Sequence, residues 1–250
     1  MEANRKAQMI LLSYDIEATG LDKQKDRIIE MGLVLYSTGQ QKILESAGFL
    51  VQSDGVSITE EITGITGITQ AAVDRFGREP VSALEDFNWF AEQADAVIGH
   101  NVIRYDRPMT ENAANRLSVP LIEKLWVDSM TDIPGVKGEQ LITMCAKHGF
   151  VNPNQHSAED DAKSVLKLIQ SYDIDKIIER AKSPTVVIRS HQPNTPENNR
   201  VVGKMGFRWH GVFKLWWRAT KEMDVSDIAA KCPFDVSRVD KEVTLEQLDN

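Results

Sequence analysis

At 250 residues, 42% hydrophobic and 26% charged, the chain suits one ordinary domain with an appendage or two small domains, and is too rich in core-forming side chains to be disordered. No apolar run approaches the roughly 20 residues of a membrane helix, residues 1–10 lack the apolar stretch of a secretion signal, and two cysteines, Cys145 and Cys232, fit a reducing cytoplasm better than a disulfide framework. The net charge of −8 argues against coating duplex DNA by phosphate neutralisation alone, yet residues 184–221 carry seven Lys/Arg against one acid, Glu197, so a basic segment accompanies an acidic remainder.

Taken in chain order, residues 9–16 (MILLSYDI), 28–36 (IIEMGLVLY) and 43–51 (ILESAGFLV) read as three strands in succession, with Gly39-Gln40 as a hairpin turn. A Thr/Gly/Ile-rich loop follows. Residues 81–93 read as a helix, 96–99 as a short buried strand, 107–117 as a helix, 125–127 as a strand and 140–148 as a helix. The most strongly periodic helix is 158–170, with 174–182 behind it. Meandering strands followed by alternating helices and strands imply an α/β fold, a mixed sheet flanked by helices. A boundary near Ser183 separates this domain, 1–183, from an extension, 184–250. Residues 190–199 (SHQPNTPENN) read as a linker, 207–209 and 212–218 as a β-hairpin about His210-Gly211, and 224–231 as a short helix.

The chemistry-bearing residues are carboxylates. Strand alternation puts Asp15 and Glu17 on one face of the first strand's end, where two acids repel unless something positive lies between them, although such pairs also occur at solvated strand ends. On the helix 158–170, at about 100° per residue, Asp161 shares the apolar stripe of Ala158, Ala162, Val165, Leu168 and Ile169, whereas Asp160 lies with Lys163 and Lys167. The helix dipole favours an acid in the first turn but does not select that face. His156 sits just before this helix. Asp106 precedes Pro108 and doubles as a good helix N-cap. Together these acids suggest a site for two divalent cations, and oxygen ligands favour Mg²⁺ or Mn²⁺. Cys145 and His148 have no second ligand pair that would complete a zinc site.

Three segments, YDIEATGLD, IGHNVIRYDRP and HSAEDDA, resemble in order and spacing the three motifs of the DEDD superfamily of 3′–5′ exonucleases. The resemblance spans residues 9–182 and implies an RNase H-like fold. The third motif has His156 five residues before Asp161 and Ser157 where the tyrosine branch has its tyrosine, so the chain resembles the DEDDh branch of proofreading subunits and RNase T-type trimmers. The second motif is one residue longer than the His-Asn-x-x-Phe-Asp form. The resemblance implies that Asp15, Glu17, Asp106 and Asp161 hold two metals, that His156 is the general base, and that nucleoside 5′-monophosphates are released from single-stranded 3′ ends. It also implies that Ala18, Thr19 and Gly20 lie against the terminal nucleotide. Residues 64–69 (GITGIT) are similar to a His-Gly-Ile-Thr loop that touches that nucleotide, with Thr66 in place of the histidine.

In the extension, Trp209, Trp216 and Trp217 interleave with Arg208, Lys214 and Arg218. One reading is a single-strand platform of stacking aromatics and phosphate-tracking cations, with Trp216, Arg208 and Arg218 outward and Phe207, Trp209, Phe213, Leu215 and Trp217 packed. The other is a hairpin that needs large aromatics for its own core. DNA is the expected substrate. The alternatives are an RNase trimming RNA 3′ ends and a non-catalytic module that binds nucleic acid or a polymerase. A polymerase or another replication or repair protein is an expected partner, and no membrane contact is expected.

Overall fold

The first apolar run forms β1 (Ile10–Ala18), which pairs antiparallel with β2 (Ile28–Ser37); β2 pairs antiparallel with β3 (Lys42–Leu50) across a turn where Gln41 is left-handed, φ 52°. The computed structural model describes residues 8–136, 138–239 and 247–248. On the other flank of β1, β4 (Ala96–Gly99) and β5 (Leu125–Asp128) add in parallel, giving the mixed order β3-β2-β1-β4-β5. Parallel neighbours need crossovers. Between β3 and β4 lie α1 (Glu60–Thr66), α2 (Gln70–Phe76) and α3 (Pro80–Glu92); α4 (Asp106–Leu117) joins β4 to β5. Then follow α5 (Leu141–Lys147), α6 (Ala158–Ile169) and α7 (Ile174–Lys182). This is the RNase H-like arrangement.

Alternation along β1 assigns its two faces. Leu12, Tyr14, Ile16 and Ala18 pack into a cluster with Leu84, Phe87, Met109 and Ala113 of α3 and α4. Leu11 joins the opposite cluster with Val165, Leu168 and Ile177 of α6 and α7, and Ser13 Oγ donates to the Ala162 carbonyl of α6 at 2.7 Å. Asp15 and Glu17 therefore share the face over which α6 begins. Close approach there depends on Gly32, which lies opposite Asp15 in the β1–β2 register: a Cβ at that position would fall 2.2 Å from the Ala158 backbone carbon. A bulge between Glu17 and Ala18 leaves Ile29 as the extra residue on β2, and its buried side chain packs with Ile68 and Val73, anchoring α1 and α2 beside the end of β1.

The Thr/Gly/Ile-rich stretch expected as a loop is helical. Thr59 and Thr69 each accept a backbone N–H as N-caps of α1 and α2, and Gly67 ends α1 with φ 73°. These helices lie in a threonine- and glycine-bearing stretch that composition reads as a loop, and the caps were their remaining signal.

Two compact units divide between Ala181 and Lys182. The second is larger in design than a hairpin and helix. It comprises β6 (Thr185–Ser190), α8 (Pro196–Lys204), β7 (Arg208–His210), β8 (Leu215–Lys221), α9 (Val225–Lys231) and β9 (Val236–Arg238), with antiparallel sheet order β7-β8-β6-β9. The segment expected as a linker starts at the end of β6 and runs into α8, where Thr195 caps and Pro196 opens the helix. Both faces of this sheet are covered, and that overturns the expected orientation of Trp216. Trp216, 6% exposed, packs with Ile188, Val202, Phe207 and Ile228, while Trp217, 2% exposed, packs on the other face with Val187, Leu215 and Leu248. Phe213, expected inside, is exposed in the turn between β7 and β8. A lone hairpin would have had one wet face; β6 and the flanking helices remove it. No helix among the described residues is long and apolar enough to cross a membrane.

Candidate active site

Oxygens of Asp15, Glu17 and Asp161 lie within 4.8 Å of one another. The first two come from the end of β1, the third from the first turn of α6, whose N-terminus is brought in by the packing over Gly32. Asp106, the first residue of α4, is buried beside them and its Oδ1 accepts the backbone N–H of Ile16 at 3.0 Å. It does not cap its own helix, so the N-cap alternative gives way to an acid turned toward the sheet. His156 precedes α6 with φ 62°; its half-exposed ring places Nδ1 3.7 Å from Glu17 Oε1. Asp160, one residue from Asp161, faces outward, accepting from Asn154 Nδ2 at 2.8 Å and lying 3.9 Å from Lys163 Nζ.

Burial and mutual repulsion set the electrostatics. Desolvation, followed by the charges of Asp106 and Asp161, holds the Asp15 carboxyl well above the usual range. Glu17 is pushed up to about 8 by burial and then by Glu30, which stands opposite it across β1–β2. Asp106 is pushed up to about 7, chiefly by burial, against the opposing hydrogen bond from Ile16. Burial raises Asp161 too, moderated by Asn152 and the His156 backbone. Such a cluster favours protons over bare charge until a cation replaces them. An oxygen-only donor set matches a hard divalent cation.

Three further residues hold this arrangement and were not anticipated. Asp128, 1% exposed at the end of β5, accepts backbone N–H groups of Asn101 (2.9 Å), Ile103 (3.3 Å) and Met130 (2.9 Å), fixing the loop that leads into Asp106. Glu30 Oε2 accepts the Ala158 N–H at 3.0 Å, capping α6 from a neighbouring strand where Ser157 makes no side-chain cap. Asn152 Nδ2 donates to Asp161 Oδ1 at 2.7 Å. Asp128 repeats the signal of Asp15, an acid closing an apolar strand; Glu30 interrupts an apolar run; Asn152 has no distinguishing sequence context.

The expected substrate contacts fare unevenly. Thr19 is buried, its hydroxyl donating to Asp26 Oδ1 at 2.8 Å and accepting from Arg27 N at 3.0 Å, so its side chain is committed to the turn. Ala18 is buried as well, and the Gly20 carbonyl accepts from Tyr105 Oη at 2.8 Å, tying the first motif to the second. A Cβ on Gly20 would lie 2.5 Å from the Asp26 carboxylate. Thr66 ends α1 with its hydroxyl donating to the Ile62 carbonyl at 2.9 Å. In the second unit, Arg208 is exposed with its guanidinium 4.3 Å from the Trp217 ring centre, whereas Arg218 donates to the Met205 carbonyl at 2.7 Å and Trp216 is core.

Comparison with known proteins gives the lineage. DNA polymerase III PolC-type of Clostridium perfringens is 28% identical over 162 residues, 63% of this chain and 11% of the polymerase. The chain thus spans about a tenth of the length of the curated relatives it matches. Among solved structures, a zinc-bound complex of E. coli Exonuclease I with single-stranded DNA has a TM-score of 0.57 at 14% identity, covering 74% of this chain and 48% of that one. A full-length 3′-exonuclease has a TM-score of 0.53 at 22% identity, covering 67% and 62%. The RNase T exonuclease family model matches residues 12–169, which include all four acids and His156, and the chain belongs to that exonuclease family.

Proposed function

We propose that this chain is a divalent-metal-dependent 3′–5′ exonuclease of the DEDDh type, removing nucleoside 5′-monophosphates from single strands, DNA in preference to RNA. The observation that carries the reading is the convergence of Asp15, Glu17 and Asp161 within 4.8 Å, with Asp106 and His156 alongside. Asp15, Glu17, Asp106 and Asp161 would hold two Mg²⁺ or Mn²⁺ ions, which when bound supply Lewis acidity at the scissile phosphate and a more acidic attacking water. His156 accepts the proton of that water, and its exposed ring leaves room for substrate to approach. Glu17 Oε1 lies 3.7 Å from its Nδ1. Oxygen attacks phosphorus, the P–O3′ bond breaks, and the leaving 3′ oxygen takes up a proton.

Preference for DNA draws on the single-stranded DNA held by E. coli Exonuclease I and on the polymerase relatives. Those relatives also favour a second reading, in which the chain works beside a polymerase. The basic surplus and exposed Arg208 of the second unit support a role there in gripping the single strand. The decisive experiment is degradation of 3′- and 5′-labelled single-stranded DNA and RNA with Mg²⁺, Mn²⁺ or EDTA. Stepwise shortening from the 3′ end, abolished by EDTA, is the expected result; 5′-end loss or EDTA-resistant cleavage overturns the reading.

A further inference from the structure

Asn152 joins two residues that the proposed chemistry uses. It lies six positions before α6 and is 8% exposed. Its Nδ2 donates to Asp161 Oδ1 at 2.7 Å, and its Oδ1 accepts the Asn154 backbone N–H at 3.0 Å. The other Asp161 oxygen accepts the His156 backbone N–H at 3.0 Å, and the Ser157 N–H returns to the Asn154 carbonyl at 3.2 Å. These bonds close a ring. Inside it the Asp161 carboxylate is fixed from one side, and residues 154–157 from the other, including His156 in its left-handed conformation. A primary amide suits the position because it is neutral and offers both a donor and an acceptor. A carboxylate there would face Asp161 as a like charge, and a methyl group would leave Asp161 Oδ1 and the Asn154 N–H without these partners.

We propose that Asn152 is a positioning residue of the active site, orienting Asp161 toward a bound cation while holding the turn that presents His156. The inference rests on the exonuclease reading above. Asn152 acts only through Asp161 and the turn, so its removal should lower kcat and metal affinity and leave KM for DNA alone. Ligands held by outer hydrogen bonds lose about 10–100-fold in metal affinity or activity when those bonds go.

The test uses the full chain with Asn152→Ala, the near-isosteric Asn152→Asp, and Gln155→Ala as a control on an exposed residue of the same turn. Three quantities are measured: amide hydrogen exchange of residues 154–157 in metal-free protein, Mn²⁺ affinity by electron paramagnetic resonance, and kcat and KM on single-stranded DNA at saturating Mn²⁺. Asn152→Ala should speed exchange across the turn, weaken Mn²⁺ binding by about 10–100-fold and lower kcat by a similar factor, with KM within about twofold. Asn152→Asp retains the acceptor for Asn154 and should keep exchange slow yet still lose kcat, so it carries the test if the alanine variant does not fold. Gln155→Ala should match wild type throughout. A folded Asn152→Ala protein with wild-type Mn²⁺ affinity and kcat overturns the proposal, even with faster exchange, because Asn152 is then structural only. Wild-type protein that neither binds Mn²⁺ nor cleaves DNA overturns the exonuclease reading and the proposal with it.

Discussion

Asp160 and Asp161 are adjacent in sequence and opposite in situation, and the helix alone makes the difference. One residue is a rotation of about 100°, enough to turn Asp161 toward Asp15 and Glu17 and Asp160 toward Asn154 and Lys163. Asp161→Ala should therefore lower kcat by more than about 100-fold, beyond the usual cost of losing an outer hydrogen-bond partner, while Asp160→Ala stays near wild type. Steady-state kinetics at matched folding decides, and equal losses would place the site elsewhere. His156→Ala should cost roughly 10²–10⁴-fold in kcat with metal-dependent DNA binding retained; weaker binding at unchanged kcat would make it a substrate contact. The strained acids give a linkage prediction as well. Glu17 has a folded pKa of about 8 against an ordinary 4.5, so the native state holds the proton more tightly than the unfolded one. Metal-free stability should then fall as pH rises from about 4.5 toward 8, and cation binding should reverse the penalty. The Tm gain on adding Mg²⁺ is expected to be larger at pH 8 than at pH 6, and smaller in Glu17→Gln. A gain independent of pH in the wild type contradicts the electrostatic picture.

Elements were legible where apolar runs or a helical period mark them, whatever their length: four-residue β4 and β5 and seven-residue α5 were read from sequence. The long strands follow from apolar runs and α6 from a period-3.6 pattern; alternation put Asp15 and Glu17 on one face of β1, and helical phase put Asp161 on the inward face of α6. The elements that were lost, α1, α2, β6 and α8, hide in threonine-, glycine- or proline-bearing stretches, where capping residues mark helices that composition reads as loops. The residues that hold the site were lost for another reason. Glu30 meets Ala158 across 128 positions and Asp128 meets Asn101 across 27, pairings that exist only once the sheet has assembled. Gly32 shows how tightly that assembly is specified. Gly32→Ala sets a methyl group 2.2 Å from the α6 backbone, which no side-chain rotation relieves. Overpacking ordinarily costs about 1–3 kcal/mol, and a clash with backbone should reach the upper end or beyond. Urea unfolding should show that loss, with activity falling because Asp161 moves with the helix. A stable, fully active Gly32→Ala protein would falsify the register assigned to β2 and α6.

At the scale of the molecule, charge and chemistry are divided between the units. All four acids and His156 precede Ala181, and the basic surplus of residues 184–221 follows it, against an overall charge of −8. An acidic catalytic domain repels polyphosphate at long range, so the basic segment 184–221 on the same chain would raise the local concentration of strand. With Trp216 in the core, this contribution has to come from cations more than from stacked indoles. Counterion release then predicts its signature: each single-strand phosphate contact adds about 0.7 to the slope of log affinity against log salt. Protein ending at Ala181 should keep kcat on a dinucleotide. On long single strands it should show a raised KM and a shallower salt dependence. KM measured against oligonucleotide length at two salt concentrations, for both proteins, separates the outcomes. Folded but inactive truncated protein on every length would make the second unit part of the catalytic machinery. Unchanged length and salt responses would leave it as a surface for a protein partner.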